Sequence, residues 1–167
     1  MAKNYIPNVI TLLNLGFGLI SLWFTMQGFY QEAVISILFA MFLDGIDGRL
    51  ARHFAVTSDF GKELDSLADL VSFGVAPAML NYASVMYRLG YAGLFFAIIF
   101  AFCGAIRLAR FNVLNIRDYY VGVPITIAGP LLTVFILLSH RLPLAFYPSI
   151  SLALSYLMIS KIKVPKY

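Results

Sequence analysis

Long apolar runs separated by short polar stretches set the pattern of this chain. Residues 9 to about 27 are apolar almost throughout, near the roughly 20 that a bilayer requires. A short loop without Lys or Arg, 28–31, leads to a second run from about 32 to 50. A polar elbow, about 52–60, precedes a third run from near 61 to near 86. Residues 87–90 read as a tight turn, and a fourth run covers about 91–111. A polar loop, 113–120, leads to a fifth run, 122–138; a turn at 140–143 leads to a sixth, from 144 to about 159. Pro7 suits a first helical turn. The pattern predicts an all-α polytopic membrane protein with six transmembrane helices in a single domain, residues 1–167.

Composition agrees. The chain has 167 residues, 61% hydrophobic and 12% charged, which excludes an ordinary water-soluble domain and leaves room for one unit only. The net charge of +4, on so apolar a chain, points to the cytoplasmic bias of Lys and Arg in membrane proteins rather than to nucleic acid. With six alternating spans, every Lys and Arg except Arg88 and Arg141 falls on the side of the N-terminus. That asymmetry predicts both termini in the cytoplasm of a cell (inner or plasma) membrane. Tyr5, Tyr30, Tyr87, Tyr91, Tyr119, Tyr120, Tyr147 and Tyr167 fall near span ends, as interfacial aromatics do. The single cysteine, Cys103, excludes a disulfide framework and reads as a packing residue. The first run reads as too long for the apolar core of a cleavable signal and lacks a convincing small-residue cleavage site.

The candidate chemistry lies between the second and third runs, in DGIDGRLARHFAVTSDFGKELDSLAD. Asp44 and Asp47 are spaced i,i+3 and Asp65 and Asp69 i,i+4, so each pair shares a helix face, where like charges repel. Acids inside or beside apolar runs are costly and functional by default. With no matching run of buried Lys, four of them need a cation. Carboxylate oxygens suit hard divalent ions such as Mg²⁺ or Mn²⁺. Four carboxylates fit two ions about 3.5–4 Å apart, an arrangement used in phosphoryl transfer. Gly45, Gly48 and Gly61 leave the backbone open to a ligand or to another helix.

These residues carry a family resemblance. Asp44-x2-Asp47-Gly48-x2-Ala51-Arg52-x8-Gly61-x3-Asp65-x3-Asp69 resembles the signature of the CDP-alcohol phosphatidyltransferases at every fixed position. Asn8-x2-Thr11 is similar to the family's N-x-x-T. The stretches around Asp65–Pro77, RLARFN (107–112), VGVPI (121–125) and SYLMISKI (155–162) resemble the branch whose acceptor is serine. The resemblance implies transfer of a phosphatidyl group from CDP-diacylglycerol to the hydroxyl of L-serine, with CMP leaving. It implies that Asp44 and Asp65 bridge two metal ions, that Asp47 and Asp69 complete one site each, and that Asp69 is the general base. Asn8, Thr11, Gly48, Arg52, Ser58 and Gly61 would hold the nucleotide and its phosphates. A homodimer is implied as well.

Several alternatives stay open in the sequence. Arg52 could simply anchor the helix end, and Ser58 could cap the third run. Asn8 could cap the first helix. Gly16 and Gly18 fit close helix packing better than ligand contact. Arg107 and Arg110, i,i+3 at a span end, could bind the serine carboxylate or a lipid phosphate, or could merely anchor the helix. The acceptor could be glycerol 3-phosphate or an inositol phosphate, although those phosphates should demand a denser basic cluster. A cation transporter would need a polar path continuing through the bilayer, whereas the acids here lie at one end only.

Overall fold

The computed structural model describes the backbone of residues 5–54, 58–114, 119–160 and 163–165. Side chains are described for all of these except 5–7, 47–54, 114, 119–121 and 163–165. Helix α1 runs Tyr5–Gln27 and α2 Tyr30–Phe54. They form an antiparallel hairpin whose turn ends α1 at Gly28, φ +80°, a left-handed position that glycine reaches without steric cost. Phe29 N–H closes the turn on the Phe24 carbonyl at 2.9 Å.

The third apolar run is one continuous helical rod in three pieces. These are α3 (Asp59–Asp69), a π-helical turn (Leu70–Val75) and α4 (Ala76–Ser84). A short 3-10 turn, Met86–Leu89, leads to α5, Tyr91–Leu114. The remaining elements are β1 (Tyr119–Val121), α6 (Ile125–Ile136), α7 (Phe146–Ile159) and β2 (Lys163–Pro165).

The core forms around the π-helical turn. Phe73, Ile37, Leu80, Met86, Phe100, Ile125, Leu132, Tyr147 and Met158 are fully buried. Two glycines let neighbouring helices reach the turn. A methyl at Gly18 of α1 would lie 2.9 Å from the Ser72 Cα, and one at Gly129 of α6 would lie 2.8 Å from the Phe73 Cα. Close backbone approach at small residues is how helices associate where water supplies no driving force. The packing expected at Gly18 is present, whereas a methyl at Gly16 would meet nothing within 4 Å.

Among the described residues the body is helical, as expected, with one exception. β1 and β2 pair antiparallel, Tyr120 opposite Val164, and tie the loop after α5 to the chain's end. Three-residue strands are too short for an alternating pattern to reveal them.

Six transmembrane helices are not confirmed by the length and composition of the described helices. Among the described residues, two helical stretches, Asn8–Gln27 and Tyr91–Val113, are long and apolar enough to cross a membrane. Their outer faces carry Trp23, Met26, Phe95 and Phe102, largely exposed, a surface that suits lipid rather than water. α2 has the length, but charges crowd its last turns. α6 has 12 residues and α7 has 14. At 1.5 Å per residue they extend about 18 and 21 Å, against a hydrocarbon core of about 30 Å. The shortening of α6 has a local cause: Gly122 turns at φ +76° and Pro124 starts the helix only afterwards.

Candidate active site

The end of α2, the start of α1 and the whole of α3 meet at one end of the body. Asp44 comes from α2, and Asp65 and Asp69 come from successive turns of α3. One carboxylate oxygen from each lies within 4.8 Å of the others. Asp44 and Asp65 are half-buried, and Asp69 is 6% exposed. The Asp44 and Asp69 carboxylates lie close enough to act on each other. Carboxylates this close demand a cation or a proton between them. An all-oxygen donor set from three converging acids fits a hard divalent ion. Asp47, Gly48 and Arg52 are also on α2, but their side chains lie outside the described residues. Gly45 faces open space.

The π-helical turn begins at the residue after Asp69. Such widened turns recur at functional sites. Here the turn brings Ser72 against α1, where its hydroxyl donates to the Asn14 carbonyl at 3.0 Å. α1 presents Asn8, Thr11, Asn14 and Gly18 along one face, at helical spacing. Thr11 is buried, and Asn14 is 1% exposed. Asn14 Nδ2 donates to Asp69 Oδ1 at 3.5 Å.

Ser58 caps α3, its Oγ accepting from the Gly61 N–H at 3.0 Å. A methyl on Gly61 would lie 3.1 Å from Ser58 Oγ and 3.2 Å from Asn8 Oδ1. The structure therefore brings Asn8, Ser58 and Gly61 together above the acids, with Thr11 one turn further along α1.

Arg107 and Arg110 of α5 part company. Arg107 is 8% exposed, its charge acts on Asp69, and its guanidinium sits 5.8 Å from the Phe111 ring centroid. Arg110 turns instead to α7, its Nη1 donating to the Ile159 carbonyl at 3.0 Å. Asn112 fastens α5 to α3. Its Nδ2 donates to Ser66 Oγ at 3.1 Å and to both Glu63 carboxylate oxygens at 3.4 Å.

Asn14, Ser72 and Asn112 were not singled out from sequence. The available signal for Asn14 was an amide inside an apolar run, on the same helix face as Asn8 and Thr11.

A family model described as CDP-alcohol phosphatidyltransferase matches residues 4–162. A Bacillus subtilis protein named CDP-diacylglycerol–serine O-phosphatidyltransferase is 41% identical over 165 residues, 98% of this chain and 92% of the relative. One of the same name from Methanocaldococcus jannaschii is 41% identical over 162 residues, 97% of this chain and 74% of the relative. An archaetidylserine synthase from Methanothermobacter thermautotrophicus is 37% identical over 167 residues, 96% of this chain and 70% of the relative.

Proposed function

The chain belongs to the CDP-alcohol phosphatidyltransferase family, and on that premise we propose that it is a phosphatidylserine synthase. It moves the phosphatidyl group of CDP-diacylglycerol to the hydroxyl of L-serine and releases CMP. The convergence of Asp44, Asp65 and Asp69 at one end of the helical body carries this reading. The names of the relatives supply the acceptor.

The roles follow from position. Asp44, Asp47, Asp65 and Asp69 would hold two divalent ions, Mg²⁺ or Mn²⁺. Ions held there would supply positive charge against the pyrophosphate and the departing CMP. Asp69 accepts the proton of the serine hydroxyl. The hydroxyl oxygen bonds to the phosphatidyl phosphorus, the bond from that phosphorus to the CMP oxygen breaks, and CMP leaves with the electron pair. Asn8, Thr11, Ser58 and Gly61, with Gly48 and Arg52 on α2, hold the nucleotide. The support is the clustering of Asn8 and Ser58 over a backbone that lacks a side chain at Gly61. Arg107 receives the serine carboxylate, since it is buried, its charge acts on Asp69 and it offers forked donors. Arg110, already bonded to Ile159, is assigned to a lipid phosphate at the membrane surface.

Six membrane segments, with both termini and the acid-bearing end in the cytoplasm, fit the distribution of Lys and Arg. The homodimer rests on the family resemblance. The deciding assay supplies CDP-diacylglycerol and a panel of alcohols to membranes, with and without Mg²⁺ or Mn²⁺. The expected result is metal-dependent CMP release with serine and not with glycerol 3-phosphate or an inositol phosphate. Release with another alcohol and not with serine would overturn the acceptor.

A further inference from the structure

The amide of Asn14 is half used. Its Nδ2 donates to Asp69 at 3.5 Å, and with Asp69 ionised, as the proposed base must be, that contact fixes which way the amide points. Oδ1 has no hydrogen-bond partner among the described protein atoms, in a side chain only 1% exposed. A buried carbonyl oxygen without a donor is costly, and such groups call for an explanation, a ligand among them. This one is bonded to the same carbon as the nitrogen that touches the proposed general base.

We infer that Asn14 Oδ1 receives the ammonium group of the acceptor and so selects alcohols that carry an amine beside the hydroxyl. The inference rests on the reading of serine as acceptor. In serine the hydroxyl carbon is bonded to the carbon bearing both ammonium and carboxylate. With the hydroxyl at Asp69, the two charged groups lie one carbon further out, where atoms flanking Asp69 can take them. α5 supplies Arg107 for the carboxylate, and α1 supplies a bare carbonyl oxygen for the ammonium. A neutral acceptor suits the place. A further carboxylate would repel the acids already there and compete for the metal ions. An alcohol without an amine leaves Oδ1 buried and unpaired, which is how a polar site rejects an analogue lacking one group.

The test measures CMP release by the full-length protein in mixed micelles, with serine and CDP-diacylglycerol varied in turn. The variants are Asn14→Ala, Asn14→Asp and, as a control, Asn81→Ala, which removes the same amide from the far end of the core. Asn14→Ala is expected to raise the serine KM about ten- to a hundredfold, the scale of a hydrogen bond to a charged group. The CDP-diacylglycerol KM should stay unchanged. 3-Hydroxypropanoate, which lacks the amine, should inhibit wild type and Asn14→Ala equally. Asn14→Asp keeps the shape and an acceptor oxygen, so its serine KM should remain near that of wild type while kcat falls. It also carries the test if the alanine variant does not fold. Asn81→Ala should leave both KM values in place.

A serine KM unmoved by Asn14→Ala, or both KM values rising together, would overturn the inference while leaving the synthase reading intact. So would a serine KM in Asn14→Asp that rises as far as the loss of the amide would take it. Wild-type protein that releases CMP with another alcohol and not with serine would overturn the reading itself, and this inference with it.

Discussion

Each end of the helical body buries an asparagine whose carbonyl oxygen has no partner among the described residues, and the two differ in their company. Asn14 bonds to Asp69, which converges with two other acids and feels the charge of Arg107. Asn81 is 0% exposed near the opposite end of the rod, where its Nδ2 meets the Met86 sulfur at 4.0 Å among apolar side chains. The acid-bearing end is held by polar links between helices: Asn14 to Asp69, Ser72 to Asn14, Asn112 to Glu63 and Ser66. The other end is held by aromatic packing, with Phe135, Phe146 and Tyr147 edge to face. Burial of a polar group therefore does not mark a function by itself. The charges around it decide what it can bind.

The sharpest way to break this contrast is at the acids. Asp69→Asn should lower CMP release about a hundred- to ten-thousandfold, the range for a lost general base. The helical content by circular dichroism should be kept. Full activity in that variant would remove the acid-bearing end from the chemistry. Stripping divalent ions with EDTA should abolish turnover, and Mg²⁺ or Mn²⁺ should restore it. The thermal midpoint should also rise on adding the ion, because a ligand of the folded state stabilises it.

Next come the two arginines. Arg107→Lys should raise the serine KM about tenfold through loss of the forked contact. Arg110→Lys should leave that constant closer to wild type and act through the link from α5 to α7. Equal effects on the serine KM would erase the distinction drawn between them.

Packing effects are smaller and should not respect the contrast. Gly18→Val would press α1 off the π-helical turn at Ser72, costing about 1–3 kcal/mol of stability. It should lower the thermal midpoint in detergent and loosen the acid-bearing end with it. The smallest effect is expected from Asn81→Leu. Replacing a buried amide whose oxygen has no partner among the described residues with an apolar side chain of similar size should be neutral or slightly stabilising. Kinetics should not change. A loss of turnover there would show that the far end is coupled to the site.

The helical class and the acid cluster were legible in the chain because both depend on local order. Apolar runs near bilayer length announce helices whatever they pack against. Asp65 and Asp69 share a face through helical spacing alone. The lengths of α6 and α7 were less legible, since an apolar run continues past the residue where a helix stops. The β1–β2 pair was invisible, because its partners are far apart in sequence and each is three residues long.

By itself, then, the sequence determined which residues carry charge in an apolar setting and which of them sit on a common face of one helix. Only the tertiary structure decided which faces meet. Arg107 and Arg110 are equivalent on paper, yet one is buried with its charge felt at Asp69 and the other reaches the Ile159 carbonyl. Asn14 is one amide in an apolar run until α1 crosses the π-helical turn at Gly18 and places it on Asp69. Spacing along a helix follows from covalent geometry. The partner across a helix interface depends on where backbones can approach, which the glycines and the widened turn settle together.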